Sequence, residues 1–214
     1  MKKKIALLLF GLSYKENYKH HSGKKVLINY EESLKNYEKM IFKYYKNLGY
    51  EIDTFLATNF NKNINNLLKK YKPKSNYIRH QEINNNIISR NKYFLTTMKL
   101  CKEYAEKNKI KYEFVIMTRF DLLFKIPFNE VKINYNTMNI VSILEHPALI
   151  CDNFYLFPFS YLDIFLQYVK SRIRTCAHLY KRNLERRFGN INYLMNQYTF
   201  IQKIKFYKII RTYI

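Results

Sequence analysis

Tyr112-Glu113-Phe114-Val115-Ile116-Met117-Thr118-Arg119-Phe120-Asp121 is the stretch on which the fold turns. Its centre, residues 114–117, is a continuous apolar run, the signature of a strand covered on both faces, as in a parallel sheet packed between helices. Its end is polar and charged. A charge withdrawn from water costs several kcal/mol unless it is paired or bound to a ligand, so Arg119 and Asp121 need a partner. Residues two apart on a strand share a face. The pair therefore either closes on itself as a rim ion pair or faces an anionic ligand, and the stretch alone fits both.

Upstream, residues 5–10 form a second apolar run between lysines and Gly11, which predicts a buried first strand. From residue 30 to 47, Leu34, Tyr37, Ile41, Tyr44 and Tyr45 recur at helical spacing, and Gly49 fits a helix C-cap. Residues 50–58 then read as a strand. Strand, helix, strand is the unit of an open parallel sheet. Ile64–Tyr71 predicts a short helix stopped by Pro73. Residues 76–89 read as polar loop with a short strand at Tyr77-Ile78, and residues 91–109 as a long helix feeding the quoted stretch. Beyond it, residues 139–144 and 153–158 read as strands, and 161–174 and 178–187 as helices. The last residues, 196–214, mix basic and apolar side chains without a decisive period. The expectation is a single α/β domain over residues 1–214, with a Rossmann-like, open, mostly parallel sheet flanked by helices.

Ligands in such sheets sit beyond the carboxyl ends of the strands. The residues falling there are Gly11 with the loop after it, Thr58 with Asn59, and Arg119 with Asp121. The loop, residues 11–28, carries Tyr14, Lys15, His20, His21 and Lys24 and is longer than a structural turn requires. Tyr14 and Tyr18 can stack on a base or a sugar. Arg90, at the start of the second long helix, can place a cation beside helix N-terminal amides, near phosphate.

The formal net charge of +22 attracts polyanions. Abundant lysine, asparagine, isoleucine and tyrosine beside only four glycines is also what AT-rich codons yield. The lysines are spread along the chain instead of gathering on one face, which weighs against nucleic acid as the partner. At 48% hydrophobic and 17% aromatic the chain has the material for a packed core. Three separated cysteines, Cys101, Cys151 and Cys176, lack CxxC spacing and read as reduced thiols of a cytoplasmic protein. The lysine-led start lacks a cleavage site, and no stretch reaches the ~18 apolar residues of a membrane span. The basic C-terminal stretch, residues 201–211, reads as a packed terminal element with a basic outer face, or as a peripheral membrane contact. No GxxxxGK[ST] or GxGxxG loop is present, which argues against P-loop and dinucleotide chemistry.

The run Tyr112 to Leu122, preceded by Asp53-Thr54-Phe55-Leu56-Ala57-Thr58, resembles the strand-end motifs of GT-A-like glycosyltransferases from viral and bacterial polysaccharide clusters. Gly11-Leu12-Ser13-Tyr14 is similar to the substrate-facing loop after strand one of that group. Ile150-Cys151-Asp152-Asn153-Phe154-Tyr155 resembles its later block, in which an acidic residue precedes an aromatic strand. The resemblance implies a GT-A-like fold and a transferase moving a sugar from a nucleotide-diphosphate donor to an acceptor hydroxyl on a glycan, protein or lipid-linked molecule. It implies a donor site of Gly11, Tyr14, Thr58, Arg90, Arg119 and Asp121. Asp152 would be the general base, and Asp121 and His178 would hold a divalent cation, manganese or magnesium. A viral source would place it in host cytoplasm. The sequence departs from the family at the second acidic position, where Leu123 stands, so Arg119 or lysines are the alternative neutralisers of the diphosphate. The rival reading is a non-catalytic basic module for nucleic acid or an anionic membrane surface.

Overall fold

The computed structural model describes residues 2–19, 25–80, 86–142, 149–172, 179–196 and 201–203. The strands are β1 (Lys4–Phe10), β2 (Tyr14–Lys19), β3 (Lys25–Asn29), β4 (Glu51–Asn59), β5 (Ser75–Arg79), β6 (Phe114–Arg119), β7 (Leu122–Phe124), β8 (Met138–Ser142), β9 (Leu149–Pro158), β10 (Leu179–Tyr180), β11 (Ile191–Asn196) and β12 (Ile201–Lys203). The helices are α1 (Tyr30–Tyr37), α2 (Lys43–Asn47), α3 (Ile64–Tyr71), α4 (Asn86–Asn108), α5 (Leu162–Arg172) and α6 (Lys181–Phe188). A π-helical turn, Glu38–Phe42, makes α1 and α2 continuous.

The main sheet has the order β11-β8-β9-β6-β1-β4-β5, with β10 paired to β9. β5, β4, β1 and β6 are mutually parallel, and β9 runs against both β6 and β8. β1 lies at the centre with a parallel neighbour on either side, which is why its run from Ile5 to Phe10 is entirely buried. Its alternate residues feed two cores. Ile5, Leu7 and Leu9 pack with α1, α2 and α3 through Tyr37, Tyr45 and Leu67. Ala6, Leu8 and Phe10 pack with α4, α5 and α6 through Phe94, Met98, Phe165 and Leu184. Side chains of this size contribute about 1.5–3 kcal/mol each when fully buried. The sandwich of helices, open mostly parallel sheet and helices matches the α/β class that the strand and helix patterns predict.

Three departures have physical reasons. Residues 11–28 are not a plain loop: β2 and β3 pair as an antiparallel hairpin. The polar composition of β2 and the shortness of β3 hide the pairing, and neither hairpin strand belongs to the main sheet. α4 begins at Asn86, before the apolar stripe that marks it in the sequence. Segment 196–214 contributes β12, which pairs antiparallel with β7, while residues 204–214 lie outside the described residues. Among the described residues no helix is long and apolar enough to cross a membrane.

Candidate functional site

The order of the strands reverses at β1: β4 and β5 lie on one side and β6 on the other. In open α/β sheets ligands sit beyond the carboxyl edge at such a reversal. Phe10 stands opposite Arg119 across the β1–β6 pair and opposite Ala57 across the β1–β4 pair. Gly11, Thr58 and Arg119 therefore leave adjacent strands at one edge, as the sequence pattern requires.

The exit from β1 is tightly held. Gly11 has φ +98°, which favours a residue without Cβ, and its N–H donates to the Ala57 carbonyl at 3.1 Å. The Ser13 N–H donates to Thr58 Oγ1 at 3.2 Å, and that hydroxyl lies 2.9 Å from Ser13 Oγ as its donor. Asn61 Nδ2 also donates to Ser13 Oγ, at 3.1 Å. Thr58 and Ser13 are fully buried, so Thr58 acts at this edge only through the backbone it fixes. Tyr14 begins the hairpin, and its hydroxyl donates to Glu16 Oε1 at 2.7 Å. Lys62 donates to the same oxygen at 2.6 Å and stands over the Tyr14 ring. The hydrogen bond from Lys62 holds the Glu16 carboxyl below its ordinary range, and the bond to Glu16 raises the Tyr14 phenol.

Arg119 and Asp121 meet in a two-pronged ion pair. Nε donates to Oδ1 and Nη2 to Oδ2, both at 2.7 Å, the geometry of a guanidinium fork on a carboxylate. The side chains are 18% and 3% exposed. Arg119 Nη1 donates further to Asn153 Oδ1 at 3.3 Å. Antiparallel pairing sets Thr118 against Phe154 and so brings Asn153 alongside Arg119; Thr118 Oγ1 donates to the Asn153 carbonyl at 3.1 Å. From the other face, the buried Tyr37 hydroxyl donates to the Arg119 carbonyl. Burial pushes that phenol well above its usual range, which keeps it a donor. The turn at Phe120 and Asp121 is thus fixed from three sides.

Asp152 is the residue of β9 before Asn153, so its backbone lies on the strand beside this turn; its side chain is outside the described residues. Arg90 lies in the first turns of α4, and its side chain too is outside them. α4 packs its Phe94 edge-on against Phe10, ring centroids 4.9 Å apart, which sets its N-terminal half beside the exit of β1. His178 lies outside the described residues altogether. Among the described residues no three His, Cys, Asp or Glu side chains gather where a metal ion could be held. Both Asp121 oxygens already receive Arg119, so the described donors do not fit a divalent cation.

Asn153, Ser13 and Tyr37 escape sequence reasoning. Ser13 and Asn153 fall inside the blocks quoted above, but nothing local singles them out; they and Tyr37 are brought to Thr58 or Arg119 by strand register and helix packing, which no spacing motif records.

No family's sequence profile and no curated protein sequence matches the chain. Solved structures do. A glycosyltransferase involved in the glycosylation of the major capsid of PBCV-1 is 13% identical, covers 91% of this chain and 82% of its own, and gives a TM-score of 0.43. HddC from Yersinia pseudotuberculosis is 11% identical with both chains fully covered and a TM-score of 0.44. A nucleoside-diphosphate-sugar pyrophosphorylase from Vibrio cholerae RC9 is 15% identical over 97% of this chain and 99% of its own, with a TM-score of 0.44. Likeness this distant carries no assignment of activity.

Proposed function

We propose that the chain is one nucleotide-sugar-binding domain, residues 1–214, that transfers a sugar from a nucleotide-diphosphate donor to an acceptor hydroxyl in the cytoplasm. The observation that carries the reading is the placement of the Arg119–Asp121 turn directly across from Phe10 and Gly11, where the strand order reverses. The quoted blocks that resemble GT-A-like enzymes fall on this edge through Gly11, Thr58, Arg119 and Asp152, which supports the same reading.

In this reading Gly11, Tyr14, Thr58, Arg90, Arg119 and Asp121 form the donor site. Thr58 shapes the loop, Tyr14 offers a ring, and Arg90 and Arg119 meet phosphate oxygens. The acceptor oxygen attacks the anomeric carbon while the bond to the diphosphate breaks. Asp152 takes the acceptor proton, and the charge growing on the leaving diphosphate is met by fixed cationic donors. The divalent cation implied by the resemblance, on Asp121 and His178, does not fit the described donors, and no step is routed through it.

A thermal-shift screen of nucleotide-diphosphate sugars, with and without manganese, tests the reading. A donor present at 100 times its dissociation constant adds about 2.7 kcal/mol of stability. Stabilisation by one sugar nucleotide, and hydrolysis or transfer lost in Asp152→Asn, are the expected results. Tight polyanion binding with a steep salt slope and no response to any sugar nucleotide would establish the basic-module alternative.

A further inference from the structure

We propose that the Arg119 guanidinium is the resident cation of this site, held in place by Asp121 and Asn153, and that it receives the diphosphate without a metal ion. The inference rests on the nucleotide-sugar reading and assigns Asp121 and Asn153 as positioning residues that act through Arg119.

Three observations carry it. First, both oxygens of the acidic residue in the motif are occupied by one guanidinium, in a fork with two 2.7 Å bonds. A cation placed on those oxygens would have to displace Arg119 and then stand beside its positive charge. Second, the fork is nearly out of solvent, at 18% and 3% exposure. A withdrawn ion pair contributes little net stability compared with apolar packing, so stability alone is a weak reason for one at a strand end. It does lock a long, flexible side chain into a single orientation; the Nε–Nη2 edge is spent on Asp121, so a phosphate oxygen would be met by the second hydrogens of Nη1 and Nη2. Third, Asn153 binds the remaining nitrogen, Nη1, from the neighbouring strand at 3.3 Å, and Tyr37 holds the Arg119 backbone. All three guanidinium nitrogens are thereby set in position, as a preorganised electrostatic site requires.

Isothermal titration with inorganic pyrophosphate, in EDTA and with excess free manganese, tests the proposal. Wild type is expected to bind in EDTA, with manganese changing the affinity less than about threefold. Arg119→Gln is expected to weaken binding by about tenfold or more, the loss expected for charged hydrogen bonds. Arg119→Lys, which keeps the charge and the ion pair but not the fork, recovers part of it. Asn153→Ala and Asp121→Asn are expected to weaken binding in the wild-type background but to add nothing to the loss in Arg119→Gln, a non-additivity that a merely structural role would not give; melting curves confirm that each is folded. The proposal is overturned if wild type binds only with manganese, if it binds in neither buffer, or if Arg119→Gln binds as wild type does. Pyrophosphate binding in EDTA with no response to any sugar nucleotide would leave the anion site standing and remove the transfer reading. Sugar transfer that requires manganese and disappears in Asp121→Asn would do the reverse.

Discussion

Two aspartates of this chain are buried beside cations at opposite ends of the same sheet, and only one of them lies at the carboxyl edge, where ligands sit in such sheets. Asp121 is 2% exposed at the carboxyl edge and is gripped by a single arginine fork. Asp53 is 1% exposed near the start of β4. It receives the Tyr112 hydroxyl at 2.9 Å and has Lys4 at 3.8 Å and Lys74 at 3.6 Å. Asp53 belongs to the quoted resemblance as much as Thr58 does, yet the two lie five positions apart on the strand, about 16 Å. A buried carboxylate with cationic neighbours is therefore no marker of a site. Its position relative to strand direction is what distinguishes the two: lysines reaching in from solvent neutralise Asp53, while Asp121 fixes an arginine at the carboxyl end of β6.

The largest effect that sharpens this contrast is on Arg119→Ala. Removing the guanidinium takes away the fork that compensates a buried carboxylate, a loss of up to about 3–5 kcal/mol, and pyrophosphate affinity falls with it. Urea melts of Arg119→Ala, Asp121→Ala and the double variant measure the coupling. The double variant should recover stability but not binding. Asp53→Asn is the counterpart. Lys4 and Lys74 are 28% and 42% exposed and can return to water, so the loss is that of one hydrogen bond to a charged group, about 1.5–3 kcal/mol. Its pyrophosphate affinity should equal that of wild type; a matching loss of affinity would break the division between the two edges.

Much of this was legible in the sequence because strand-forming apolar runs and helical stripes are local. The first strand, Ile64–Tyr71 and the core of the Arg119 strand coincide with observed elements. The gathering of Gly11, Thr58 and Arg119 at one edge followed from strand direction alone. The hairpin of β2 and β3 was not legible, since β2 is polar without an apolar alternation and its register with β3 is set by cross-strand backbone pairing. Neither was Asn153, whose role exists only because β9 runs antiparallel to β6 in one particular register.

Thr58→Val gives a smaller test of the carboxyl edge. The substitution keeps the shape of a buried β-branched residue while removing the hydroxyl that joins Ser13 Oγ and the Ser13 N–H. About 1–3 kcal/mol is lost, because a buried N–H is left without its acceptor. The loop carrying Gly11 should loosen, seen as faster amide exchange at Ser13, and donor affinity should fall several-fold. Equal exchange rates in variant and wild type would mean that the Ala57 carbonyl, Asn61 and the Tyr30 N–H suffice to hold the loop.

The smallest expected effect concerns the clip between the hairpin and the segment after β4. Glu16 accepts from both Lys62 and Tyr14, and the bond from Lys62 depresses its folded-state pKa. A depressed carboxyl pKa stabilises the fold above the unfolded value and loses that contribution as pH falls through the folded one. The clip is therefore intact at neutral pH and opens only in acid, below the ordinary glutamate range. Both partners are well exposed, at 64% for Lys62 and 55% for Glu16, so salt screens the pair and the change in stability is slight. A carbon-detected NMR titration of the Glu16 carboxyl reads the shift directly, and Glu16→Gln should abolish the acid-linked change in the Tyr14 ring signals. A Glu16 that titrates at its ordinary value, with Tyr14 signals unmoved, would show that the hairpin is held by its own strand pairing and not by this contact.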